Sequence, residues 1–248
     1  MMRTNFLASS LVVFLAMSTL ADEPKSVSVK TIEAVLQSVV PVVCARNDGT
    51  IKKVMASGFL INRQGYFVTA GHVILTGWDT VQTTDDPCVP AIFEPDTPWT
   101  ERAKGRKIRW AAFDECQYGK DVDVVACKTR KNLFADEIVN KHIRPASLST
   151  LLNYPDGTPI AFTGFPLGFL FPVTSKGYVA GYAPFSERLV IDKSAWPGAS
   201  GSPIYDGNGN VIGMITETGI DYGAGLAYAL PASAILKFLG ENKIPIEK

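Results

Sequence analysis

Hydrophobic positions come in short runs separated by turn residues. Val42-Val43-Cys44-Ala45-Arg46 reads as a strand, set extended by Pro41 and closed by Asn47-Asp48-Gly49. A second strand spans Met55 to Ile61, a turn follows at Asn62-Arg63-Gln64-Gly65, and Tyr66-Phe67-Val68-Thr69 is a third. Valine content predicts a buried strand over Val122 to Lys128. Further strands are expected over Gly157 to Phe165, Pro172 to Tyr182, Arg188 to Asp192, Asn210 to Thr216 and Gly225 to Leu230. Helical spacing is confined to the two ends. Lys25 to Ser38 puts Ile32, Val35 and Leu36 on one face, and a last helix starts at Pro231 and runs through Leu239 to Gly240. Thr76 to Lys120 reads as strands with long loops and carries a basic cluster, Arg102 to Arg109, expected to be solvated. The 16 prolines and 21 glycines favour short strands and turns. The pattern predicts an all-β barrel protein with a short helix at each end.

The first residues read differently. Met1-Met2-Arg3 is a short basic lead, Phe6 to Leu20 is apolar, and Thr19-Leu20-Ala21 fits a small-x-small cleavage site. Residues 1–21 are therefore expected to be a secretory signal peptide, with the exported chain starting at Asp22. The apolar run is shorter than the roughly 20 residues needed to span a bilayer. No cysteine lies near the cleavage site, so no lipid anchor is indicated. Export permits disulfides among Cys44, Cys88, Cys116 and Cys127. Burial class suggests like with like, Cys44 with Cys127 and Cys88 with Cys116. No CxxC spacing suggests zinc, and no metal or cofactor is expected. The charge is balanced, with 24 basic and 24 acidic residues. Neither nucleic acid nor, once the signal is removed, a membrane is indicated as partner.

Candidate chemistry centres on Trp196-Pro197-Gly198-Ala199-Ser200-Gly201-Ser202-Pro203, a serine between glycines just ahead of the apolar run Val211 to Ile215. Glycines let backbone approach a ligand, and a serine nucleophile needs bare N–H groups nearby. Only two histidines exist. His72 ends an apolar strand after small residues, where a scaffold can present a base; His142 sits in a charged, loop-like context. Asp123 leads into the valine run and is the preferred carboxylate. Asp121 lies two residues earlier, on the same expected strand face but nearer solvent.

Chain order discriminates among nucleophile classes. An α/β-hydrolase elbow needs G-x-S-x-G and a later histidine, but Ser202 holds the fifth position and no histidine follows Ser200. A zincin needs H-E-x-x-H, and Val73 follows His72. A papain-like order would use Cys44, which lacks the local signature. His72, Asp123, Ser200 is the order of the chymotrypsin arrangement.

These residues carry a resemblance. Ser57 to Ile61 followed by Gly65 to Val73 looks like the histidine region of trypsin-like serine proteases, especially the HtrA/Deg branch. Asp123 to Lys128 resembles that family's aspartate strand, Ala195 to Ile204 its serine loop, and Gly225 to Pro231 its last strand. The resemblance runs from Val39 to Leu239. It implies two six-stranded antiparallel β-barrels, at about 39–130 and 145–231, with a terminal helix at 232–240 and the His72, Asp123, Ser200 triad between the barrels. The implied activity is an exported, periplasmic or secreted serine endopeptidase acting on protein or peptide. Gly198 and Ser200 would supply the oxyanion-hole N–H groups. Ser194 would lie at the base of the pocket for the residue preceding the scissile bond. Thr216, Glu217 and Thr218 would pair the substrate backbone, and Leu226 and Ala227 would line a pocket wall, favouring small to medium apolar side chains. No histidine follows position 142, which disfavours glutamyl specificity. Two positions depart from the family pattern. Ala199 cannot pair a freed N-terminus, so that activation route is not expected. Ser202 stands where the family has glycine. The PDZ domain of the HtrA/Deg branch is not expected after the final helix. The alternative reading is an inactive protease-like peptide-binding module, against which the complete triad argues. An exported esterase would share the Ser200 chemistry.

Overall fold

The computed structural model describes residues 24–46, 51–75, 89–93, 110–218 and 225–247. The expected signal peptide, the Asn47 to Gly49 turn and the Arg102 to Arg109 cluster lie outside these residues. Among the described residues twelve strands form two closed barrels. The first holds β1 (Val39–Ala45), β2 (Ile51–Leu60), β3 (Tyr66–Thr69), β4 (Val89–Phe93), β5 (Trp110–Tyr118) and β6 (Val125–Thr129). The second holds β7 (Pro159–Gly164), β8 (Val173–Ala183), β9 (Arg188–Ile191), β10 (Pro203–Tyr205), β11 (Val211–Thr218) and β12 (Ala227–Pro231). The all-β architecture of two six-stranded antiparallel barrels is the one expected.

Both barrels use the same order. The first closes as β1-β2-β3-β6-β5-β4 and the second, read from β7, as β7-β8-β9-β12-β11-β10. The sequence carries no repeat that announces this. Closure gives each strand of a barrel two neighbours, so no whole strand is left as a sheet edge. Pro41 fits inside β1 because pairing with β4 begins only at Val42, so no ladder donor is lost there.

Among the described residues three α-helices accompany the barrels: α1 (Val29–Leu36), α2 (Gly71–Leu75) and α3 (Ala232–Glu241). Ser28 caps α1 by accepting the Thr31 N–H. The one-turn α2 was not legible in the sequence, and it carries His72. The chain ends cross between barrels. Before α1, the Val27 carbonyl accepts from Lys176 Nζ on β8 at 2.7 Å, and Thr31 Oγ1 on α1 donates to the Gly207 carbonyl at 3.2 Å. From α3, Ile235, Phe238 and Leu239 bury into the same core cluster as Leu60, Phe67 and Val125 of the first barrel.

Three expectations need correction. The strand expected at Val122 starts at Val125, and Asp121 to Asp123 form a bend ahead of β6, so the two acids share no strand face. The short strand Pro203–Tyr205 went unforeseen because a proline and three residues give no period to read. The disulfide is Cys116–Cys127, not Cys44–Cys127. Strand order explains this: β1, which carries Cys44, neighbours β2 and β4, whereas β6, which carries Cys127, neighbours β3 and β5. A bulge in β5 sets Glu115 and Cys116 against the single residue Cys127, with Asp114 opposite Lys128 and Gln117 opposite Ala126. Cys44 is disulfide-bonded as well; Cys88 lies outside the described residues.

Candidate active site

The strand ends of both barrels converge on one cleft. Thr69 ends β3 and α2 turns His72 into the cleft from the first barrel. The bend before β6 brings Asp123 beside it. Gly71 permits this approach, because a Cβ there would lie 3.1 Å from Asp123 Oδ1 and 3.3 Å from the Val124 nitrogen. Asp123 then grips His72 twice. The His72 backbone N–H donates to Oδ1 at 2.8 Å, and Nδ1 lies 2.7 Å from Oδ2. A carboxylate only accepts, so Nδ1 carries the proton and Nε2 is left as acceptor. Ser200 Oγ lies 3.1 Å from Nε2 and donates into it.

Burial pushes the Asp123 carboxyl up, but the side-chain and backbone hydrogen bonds from His72, with the nearby charges of His72 and Arg188, override it and hold it below its ordinary value. Asp121 is exposed and, among the described residues, bonds to neither His72 nor Ser200. His142 closes a 3-10 turn in the segment between the barrels.

The serine loop begins with a tight turn. The Ala199 N–H bonds to the Trp196 carbonyl at 2.9 Å, and Gly198 has φ +91°, a value at which a Cβ would also meet the Phe165 carbonyl at 2.7 Å. Among the described residues neither the Gly198 nor the Ser200 N–H donates to a protein acceptor. Both are available to an oxygen bound beside Ser200 Oγ. Ala199 is buried in the second-barrel core.

The expected substrate-contact residues fall at one end of the second barrel. Thr218 lies opposite Ala227, and Ala227 lies opposite Ile191, three residues before Ser194. Ser194 and Leu226 are half-buried, and Ala227 is fully buried. Pairing of β10 with β11 stops at Met214, so among the described residues Thr216, Glu217 and Thr218 have β12 on one side and no strand on the other. An extended peptide could add there. Arg188, unforeseen in the sequence, braces this edge. Its Nη1 donates to Thr216 Oγ1 at 2.9 Å and to Glu217 Oε1 at 2.6 Å. Ser57 is a second residue that motif reading did not assign to the site. Its N–H donates to the Ser200 carbonyl at 2.9 Å. Both were invisible as site residues because their partners lie far away in sequence.

Two closed barrels with a His-Asp-Ser relay in the cleft between them define the chymotrypsin-like class of folds. The chain belongs to the trypsin-like peptidase domain family, whose model matches residues 56–214. It is 24% identical over 195 residues to a probable periplasmic serine endoprotease, DegP-like, of Rhizobium meliloti, covering 76% of this chain and 33% of that protein. It is 27% identical over 180 residues to the corresponding protein of Bartonella henselae, covering 71% and 31%. The chain thus spans about a third of the length of these curated relatives. Among solved structures, the active form of the Rv3671c protease from M. tuberculosis matches with a TM-score of 0.60 at 16% identity, covering 96% of each chain. Deg5 matches with a TM-score of 0.59 at 20% identity, covering 84% of this chain and 90% of that one. At such identities these two matches speak to the fold.

Proposed function

We propose that this chain is an exported serine endopeptidase that cleaves peptide bonds through an acyl-enzyme. The observation that carries the reading is the relay from Asp123 Oδ2 to His72 Nδ1 (2.7 Å) and from His72 Nε2 to Ser200 Oγ (3.1 Å). Ser200 Oγ attacks the scissile carbonyl carbon as His72 Nε2 takes its proton. Asp123 fixes the tautomer and stabilises the imidazolium. The carbonyl oxygen becomes an oxyanion, held by the Gly198 and Ser200 N–H groups. His72 returns the proton to the leaving amine, and water then repeats the sequence on the ester.

Thr216, Glu217 and Thr218 accept the substrate backbone along their open edge. Ser194 forms the neutral base of the pocket, and Leu226 and Ala227 its wall, selecting small to medium apolar side chains. Residues 1–21 direct export and residues 22–248 form the protease domain; the periplasmic designation of the DegP-like relatives supports this location. The test is fluorophosphonate labelling and casein hydrolysis by the purified protein beside Ser200→Ala. Labelling and hydrolysis by the wild type alone are expected. Equal labelling of Ser200→Ala overturns the assignment.

A further inference from the structure

The turn that presents the Gly198 N–H is held from the opposite barrel. Trp196 to Ala199 has proline at its second position and Gly198, at φ +91°, at its third, which is a type II turn. A type I turn has the same ends, with the central peptide rotated by half a turn. That central peptide joins Pro197 to Gly198. In a trans peptide the C=O and N–H point in opposite directions. The Pro197 carbonyl accepts the Leu167 N–H at 2.6 Å, so the Gly198 N–H faces away from Leu167. Leu167 reaches this position with φ +56° and ψ 24°, a left-handed conformation that is unfavourable for a residue with a side chain. Something must hold the segment there.

Ser57 does so from β2. It is fully buried. Its hydroxyl donates to the Gly198 carbonyl at 2.9 Å and accepts the Phe165 N–H at 2.8 Å. One side bonds the turn. The other bonds the residue that opens the Pro166–Gly168 segment holding the turn's central peptide. The Ser57 backbone N–H donates to the Ser200 carbonyl at 2.9 Å, and the Ser57 carbonyl accepts Thr69 Oγ1–H at 2.6 Å, at the end of the strand that leads to His72. The hydroxyl's single proton is thus committed to Gly198 and one of its two lone pairs to Phe165. There is no room for a replacement from β7, because a Cβ on Gly164 would lie 2.4 Å from Ser57 Oγ.

We propose that Ser57 is a positioning residue for the oxyanion hole: its hydroxyl locks the Trp196 to Ser200 loop to the Phe165 to Gly168 segment, keeping the Gly198 N–H aimed at the developing oxyanion. This rests on the peptidase reading of Ser200. Ser57 touches no substrate and acts through Gly198.

The test compares wild type, Ser57→Ala and Ser200→Ala as purified protein. With a peptide amide substrate, Ser57→Ala is expected to lower kcat by about 10–100-fold, less than the roughly 10²–10³ seen when an oxyanion donor is itself removed, with KM within about 3-fold. Affinity for a peptide boronate, whose oxygen occupies the oxyanion position, is expected to fall in step with kcat. Active-site titration corrects for unfolded protein. Ser57→Cys keeps the volume with weaker hydrogen bonding and is the variant to use if Ser57→Ala does not fold. Unchanged kcat in a folded variant overturns the proposal, as does a rise in KM with kcat retained. Amide exchange provides a readout independent of activity. The Leu167 and Ala199 N–H groups should exchange faster in Ser57→Ala, and equal rates overturn the lock. If the wild type neither hydrolyses peptide nor labels, the peptidase reading fails, and the exchange rates still decide whether Ser57 holds the loop.

Discussion

Ser202 puts a hydroxyl where the family has glycine, and the structure shows how it is accommodated. Its backbone lies outside the left-handed region, and its N–H and carbonyl bond to Ala199 and Ile215. The side chain fits because Gly164 faces it; a Cβ there would lie 1.9 Å from Ser202 Oγ. That oxygen is buried and has no hydrogen-bond partner among the described residues. Leaving a buried hydroxyl unsatisfied costs about 1–3 kcal/mol. Ser202→Ala is therefore expected to stabilise the protein by about 1 kcal/mol with kcat/KM unchanged, as read by denaturant titration and peptide hydrolysis. At Asp123 the sign is set by its lowered pKa. The charged carboxylate is favoured in the folded state, so its contribution is complete above the ordinary value of 3.8 and is lost as pH falls through the lowered folded value. Asp123→Asn should flatten the loss of stability in that acid range. It should also reduce kcat by about 10⁴-fold through the wrong histidine tautomer. An unchanged acid limb in a pH series of unfolding curves would contradict this.

At the scale of elements, the β5–β6 hairpin carries Asp123 in its connection and is stapled by Cys116–Cys127. The two cysteines are 11 residues apart in sequence, and closing a loop of that size contributes about 3 kcal/mol in the chain-entropy account. Cys116→Ser paired with Cys127→Ala should lower stability by about that amount, measured by thermal and denaturant unfolding. It should lower kcat as well, because the bend holding Asp123 loses its brace. The elements themselves were legible to different degrees. Tyr66–Thr69 matched its expected bounds because an apolar run between turns is a local signal. β6 began three residues later than expected because valines at 122 and 124 give the same propensity inside a bend as inside a strand. The disulfide was misread because burial class ignores which strands are neighbours, and a bulge that no local pattern marks brought Cys116 opposite Cys127.

In the whole molecule, the barrels share packing as well as a cleft. Phe238 on α3, which follows the last strand of the second barrel, belongs to the same buried cluster as the interior of the first. Phe238→Ala should cost about 3–5 kcal/mol, and calorimetry should still show one unfolding transition, since the first barrel's core includes side chains of the helix that follows the second. Two separate transitions would refute this coupling. The sequence by itself determined the strand-rich class, the end helices and the residue types available for chemistry, because turn residues, apolar runs and the scarcity of histidine are properties of short segments or of composition. Only the tertiary structure brought His72 to Asp123 across 51 residues and to Ser200 across 128. It alone assigned Ser57 and Arg188 to the site and paired Cys116 with Cys127. Those relations depend on barrel closure and strand order, which decide what lies within about 3 Å of what, and no local pattern of hydrophobic and polar residues encodes that distance.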